Sequence, residues 1–129
     1  MSVSALAAEI LQDRVLRRLL YRYQVAFVAQ VMQGVACNGL HSIGQRCCRW
    51  LLTTQDRLGS YELEITHEFL AQMLGVRRAS VTDVLRPLQE DGLIRAQRGK
   101  VTILDPKGLA SASCECYRVI RREYQRLLN

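Results

Sequence analysis

The chain has 129 residues, 49% of them apolar, which is enough for one compact domain with a long helix attached and too little for a two-domain enzyme. Lysine and arginine total 18 against 12 acidic residues, and the net charge of +6 points to an anionic partner, while 6% aromatic residues argue against the stacking platforms of single-strand nucleic-acid binders. Sixteen of the cations are arginine, a bias that forked contacts to phosphate and guanine and GC-rich codon usage explain equally well.

Residues 1–40 read as an N-terminal segment followed by a long helix. Glu9, Asp13 and four arginines punctuate the first thirty residues, a pattern of neither a signal peptide nor a membrane span, so a cytoplasmic protein without a membrane partner is expected. Asp13 is placed to N-cap a helix in which Leu16, Leu20, Tyr23, Phe27 and Val31 recur at helical spacing, with Arg14, Arg17, Arg18 and Arg22 on its wet side. From Val25 to Ala36 only Gln30, Gln33 and Gly34 interrupt the apolar residues, more than one monomer of this size covers. A homodimer through Leu16, Leu20, Tyr23, Phe27 and Val31 is therefore expected. The helix should stop around Asn38 and Gly39, and Ser42 should cap a second helix to about Arg57 that buries Cys47, Trp50, Leu51 and Leu52. Gly59 and Ser60 make a turn, and Glu62 to Ile65 alternates as a short strand does.

Thr66 suits the N-cap of a short helix, His67 to Leu74, whose Phe69, Leu70 and Met73 share a face, and Gly75 permits a tight turn. A helix over about 78–90 then turns Val81, Val84, Leu85 and Leu88 inward and leaves Arg77, Arg78, Ser80, Thr82, Asp83 and Arg86 outward, with Pro87 leaving the Asp83 carbonyl without its helical partner. This is a helix-turn-helix pattern, in which the short turn sets the second helix where its N-terminal residues enter a major groove about 12 Å wide. Asp91 and Gly92 end that helix, and two short strands over about 94–104 flank Gln97, Arg98, Gly99 and Lys100 as a cationic wing whose Arg95, Arg98 and Lys100 lie near the phosphate backbone. A last helix is expected from about Leu109 to Leu128, with Cys116, Val119, Ile120 and Leu127 inward. The fold class is thus mainly α, a winged helix-turn-helix domain over 41–129 preceded by a long dimerisation helix, with a small β-hairpin wing.

The stretch THEFLAQMLGVRRASVTDVLRPLQEDGLIRAQRGKVTIL resembles the DNA-binding domain of the Crp/Fnr family of bacterial transcription regulators, and CNGLHSIGQRCCRWLLTTQDR is similar to the helix that follows the family's dimerisation helix. The resemblance covers nearly the whole chain. It implies a partner in double-stranded DNA bearing an inverted-repeat operator, with RNA polymerase as a further candidate partner. By the same resemblance His67 touches a phosphate, Arg77, Arg78 and Ser80 lie at the DNA-facing start of the recognition helix with Arg78 reading guanine, and Lys100 matches a wing lysine that contacts DNA. Ala79 stands where many members carry a base-reading glutamate and Asp83 where they often carry arginine, so the usual half-site is not carried over. Asp83 either accepts from cytosine, orients Arg86 or is simply solvated. Nothing in these residues supplies the strands and glycine turns of the family's β-roll sensor domain, so no effector is assigned.

Five cysteines, an odd number, argue for reduced thiols. Cys114 and Cys116 form C-x-C and Cys47 and Cys48 are adjacent, but neither pair has the doubled CxxC or paired histidines of a strong zinc signal, so no metal ligand and no cofactor are expected and the cysteines are taken as small core residues. The family's oxygen-sensing iron–sulfur cysteines lie in the sensor region, so these do not inherit that role. His41 and His67 have no nearby nucleophile and carboxylate in an arrangement that suggests hydrolysis, and no catalytic residue and no enzyme activity are expected. The alternative function is a dimeric winged-helix module whose basic faces engage a protein.

Overall fold

Local signals set most element boundaries in the computed structural model, which describes all 129 residues. Ser2 caps a first helix, α1 (Val3–Gln12), that the sequence did not announce. The Asp13 carboxylate then accepts from the Val15 and Leu16 amides at 2.7 and 3.0 Å and starts α2 (Arg14–Leu40), as its N-cap position predicts. The expected stop at Asn38 and Gly39 comes slightly late. Gly39 is not left-handed, and the His41 amide still donates to the Cys37 carbonyl at 3.1 Å, adding a last turn.

A capping box then opens α3 (Ile43–Leu58): Gln45 donates its amide to Ser42 Oγ, and the Ser42 amide donates to Gln45 Oε1 at 3.0 Å. Its inner face is Cys47, Cys48, Leu51 and Leu52, with Trp50 half-buried. Next come β1 (Glu62–Leu63), α4 (His67–Leu74), α5 (Arg78–Glu90), β2 (Ile94–Gln97) and β3 (Lys100–Ile103). The strands form one antiparallel sheet in the order β1-β3-β2, with Val101 opposite both Leu63 and Ala96. Alternation along the strands sends Leu63, Ile94, Val101 and Ile103 into a core shared with Leu51, Leu52, Leu70, Leu74, Val81 and Leu85. Each such fully buried aliphatic side chain contributes about 1.5–3 kcal/mol relative to exposure.

The single last helix expected over 109–128 is two. Asp105 caps α6 (Pro106–Ala112), Ser113 turns extended, and α7 (Cys116–Leu128) follows. Of its expected inward residues Cys116 and Ile120 are buried, whereas Val119 and Leu127 are half-buried.

The chain divides into two compact units, Met1–Val35 with Arg118–Asn129, and Ala36–Tyr117. In the first, Ala26 is buried, and Tyr23 stacks on Phe27 and meets Tyr124 edge-on, both at 6.3 Å between ring centroids. Leu20, Tyr23, Phe27 and Val31 remain exposed along α2, together with Val28, Met32 and Val35, while Leu16 is half-buried. The second unit holds the helix-turn-helix, the sheet and the main core. No helix is long and apolar enough to cross a membrane.

Candidate nucleic-acid interface

Helix α4 begins where the Thr66 hydroxyl accepts from the Phe69 amide at 3.1 Å. Its buried face is Leu70, Ala71 and Leu74, which corrects the face expected from sequence: Phe69 and Met73 are 44% and 48% exposed. The smaller Ala71 permits close approach to the core, and Phe69 instead lies edge-on to Trp50 at 6.1 Å. Gly75, at φ 65°, makes the left-handed turn that a side chain would resist. Arg46 reaches across from α3 to donate to the Leu74 carbonyl and ties the turn to the scaffold.

Helix α5 buries Val81, Leu85 and Leu88, with Val84 half-buried against the core, and it continues through Pro87 to Glu90. Its outer face presents Arg77, Arg78, Thr82, Asp83 and Arg86, all exposed, while Ser80 is half-buried. Arg77 occupies the N-cap position without a side-chain cap, in contrast to Thr66 on α4. The Ser80 amide donates to the Arg77 carbonyl at 3.0 Å, so the Arg78 and Ala79 amides are the ones left to an outside acceptor, and the positive end of the helix dipole lies beside two guanidinium groups.

The wing packs against the end of this helix, since the Ala96 amide donates to Gln89 Oε1 at 2.8 Å. Gly99, at φ 73°, closes its tip beside the exposed Arg98. Between α4, α5 and the wing lies an open cleft whose walls include His67, Arg78 and Arg98. Three residues singled out from separate stretches of sequence thus share one concavity.

Other chosen residues already have partners. His67 Nδ1 and Thr82 Oγ1 are 3.4 Å apart, joining the starts of the two helices. Asp83 lies 3.7 Å from Arg86, so among its sequence alternatives the contact with Arg86 is the one observed. Lys100 donates to Glu62 Oε2 at 3.1 Å across the sheet, a pairing that sequence reasoning missed because the two lie on β3 and β1. The β1–β3 register makes the contact possible: Thr102 is opposite Glu62, and Lys100 stands on the same face two residues away.

The cysteines are core residues, as expected from the sequence, but they fall into two groups. All five are buried and none is in a disulfide. Cys47 and Cys48 lie in the main core, but Cys37, Cys114 and Cys116 form a separate small cluster with His41 at its edge. His41 has thiols on one side and Glu115 on the other, contacts between residues remote in sequence. Burial raises the Cys37 thiol, but hydrogen bonds with His41 and Cys114 and the charge of Arg49 outweigh it and leave this thiol below its ordinary value. The bond with Cys37 holds the His41 imidazole above its own, with the Glu115 charge adding to it.

Comparison with known proteins matches residues 45–112 to the Crp-like helix-turn-helix domain. A transcriptional regulator of the Crp/Fnr family from Eubacterium rectale has a similar structure, with a TM-score of 0.63 at 30% identity over 81% of this chain and 49% of that one. The Thermus thermophilus CRP/FNR-family regulator TTHA1359 gives a TM-score of 0.66 at 26% identity over 78% and 55%. The transcriptional regulator SdrP from Thermus thermophilus is 43% identical over 51 residues, 40% of this chain and 25% of that protein. The chain thus spans about half the length of the solved relatives and a quarter of the curated one.

Proposed function

This chain belongs to the Crp/Fnr family of transcription regulators, and from that premise we propose that it is a dimer that binds double-stranded DNA sequence-specifically. The observation that carries the proposal is the start of α5, where Arg77 and Arg78 are exposed and Arg78 shares a cleft with Arg98 of the wing, while the opposite face of the helix is buried. Helix α5 enters the major groove by its N-terminal turn, and Arg78 reads guanine O6 and N7 through its two-pronged guanidinium. Arg77, Ser80, His67 and the uncapped amides hold phosphates, with Thr82 keeping the His67 ring in place. Arg86 and Asp83 act as a pair on the same face, and Arg98 and Lys100 set the wing against the backbone.

Dimerisation uses the α2 face of Leu16, Leu20, Tyr23, Phe27 and Val31 within residues 1–40, and residues 41–129 supply the DNA-binding part. An isologous dimer has two-fold symmetry, so the operator is an inverted repeat with half-site centres on the order of 10 base pairs apart. Selection of duplexes from a random pool by the purified chain tests this. Enrichment of an inverted repeat is expected. Failure to enrich any sequence, with binding to an acidic protein partner instead, would favour the protein-interaction alternative and refute the DNA reading.

A further inference from the structure

Cys37 and His41 lie one helical turn apart at the end of α2, Cys114 lies in the break between α6 and α7, and Cys116 is the first residue of α7. Although His41 and Cys114 are 73 positions apart, one ligand atom from each of the four residues falls within 4.8 Å of all the others. We propose that Cys37, His41, Cys114 and Cys116 bind one zinc ion in a closed, tetrahedral structural site.

The spacing fits a single ion. Zinc bonds of about 2.3 Å to sulfur and about 2.0–2.1 Å to nitrogen place tetrahedral sulfurs about 3.8 Å apart and a sulfur and a nitrogen about 3.5 Å apart. In the structure Cys37 Sγ and Cys114 Sγ are 3.5 Å apart, as are Cys116 Sγ and His41 Nδ1. A four-iron cluster seats each thiolate on its own iron and needs a wider cage. A disulfide would bring two sulfurs to about 2.05 Å and leave His41 and one thiol outside the bond.

The orientation of His41 supports the same assignment. Its Nε2 lies 3.1 Å from Glu115 Oε1, so a proton on Nε2 donates to the carboxylate and leaves the Nδ1 lone pair facing the thiols. This is the carboxylate–histidine–metal arrangement that fixes the tautomer of zinc-bound histidines. The cluster is also a poor apolar core, because its buried members are three small thiols without a branched aliphatic side chain among them. Extended geometry at Ser113 starts the break that lets Cys114 and the first residue of α7, Cys116, both be buried, leaving the intervening Glu115 exposed to bond His41 from outside.

Binding replaces three S–H bonds with three S–Zn bonds, and the three protons pass to solvent. No ligand position stays open, so the ion has a structural role. Cys37 and Cys116 lie one residue inside the two ends of the Ala36–Tyr117 unit, so the ion closes that unit on itself and is independent of whether α5 reads DNA.

The test uses the full chain purified anaerobically under reducing conditions. One zinc per chain is expected by elemental mass spectrometry, and cobalt(II) added to the stripped chain should give tetrahedral visible bands with thiolate-to-cobalt charge transfer, bleached by zinc. Cys114→Ser should lower the charge-transfer intensity by about a third and weaken binding, whereas Cys48→Ala should leave the spectrum unchanged. His41→Cys keeps four donors and should shift the bands without losing the ion. Glu115→Gln, at an exposed position, should weaken affinity by about 10–100-fold while circular dichroism stays unchanged. Less than one zinc per two chains with no cobalt spectrum, iron with acid-labile sulfide, a Cys37–Cys114 disulfide in the anaerobic protein, or a cobalt spectrum indifferent to His41→Cys would each overturn the site.

Discussion

Arg78 and Lys100 face DNA with different starting states, so their alanine variants should fail differently. Arg78 is exposed at the first position of α5 and none of the chain's ion pairs includes it, whereas Lys100 is held 3.1 Å from Glu62. Losing a two-pronged arginine–guanine contact removes about 1–3 kcal/mol of discrimination per half-site, or roughly 5- to 150-fold, and a dimer loses it twice. Lys100 must first leave Glu62, an exposed pair of about 0.2–1 kcal/mol, so its net gain from a phosphate is smaller. Its signature is the salt dependence: the slope of log K against log salt should flatten by about 0.9 per lost phosphate contact, close to two per dimer. Glu62→Gln supplies the opposite perturbation, freeing Lys100 and strengthening binding to every duplex. Titrations of Arg78→Ala, Lys100→Ala and Glu62→Gln over a salt series, on the selected operator and on copies with single base changes, give all three readouts. If Arg78→Ala weakens every duplex equally while base preference survives, Arg78 is a backbone contact and the assignment fails. If Glu62→Gln leaves random duplexes unaffected, Lys100 does not serve a phosphate.

Two further outcomes concern assembly and the core. Leu20→Glu with Phe27→Glu places charges on the exposed face of α2 and should convert a dimer into a monomer in sedimentation at micromolar concentration; a dimer unchanged by both would move the interface elsewhere. Burial pushes the Cys47 thiol up to about 12, the neighbouring Cys48 adding to it, and the Cys48 thiol up to about 11, from an ordinary 9.0. The unfolded chain therefore sheds these protons first, so the stability they contribute is fully present below about pH 9 and is lost as pH rises toward 12. Between pH 9 and 10 the loss through Cys47 is on the order of 1 kcal/mol, and urea unfolding of Cys47→Ala beside the parent chain should show a flatter pH dependence. Parallel curves would show that Cys47 ionises freely in the folded state.

The helix-turn-helix and wing were legible because each boundary rests on a residue acting within a few positions of itself: Thr66 on the Phe69 amide, Gly75 in its turn, and Gly92 and Gly99 around β2. What failed depended on contacts remote in sequence. Size and spacing favoured Phe69 and Met73 as the inner face of α4, but an eight-residue helix has two apolar faces and the scaffold accepted the smaller Ala71. The pairing of Lys100 with Glu62 needed the strand order, which alternation within one strand does not specify. The break at Ser113 and the Cys37–His41–Cys114–Cys116 cluster were missed together, for one reason. Residues 109–116 contain no proline or glycine, so local propensity favours a continuous helix, in which Cys114 and Cys116 would diverge by about 200° around the axis. Turning both thiols toward Cys37 and His41 requires the helix to break there. An interrupted helix without a local breaker needs a long-range compensation, and the three zinc–thiolate bonds of the proposed site would supply one on a scale that a cluster of small apolar groups does not.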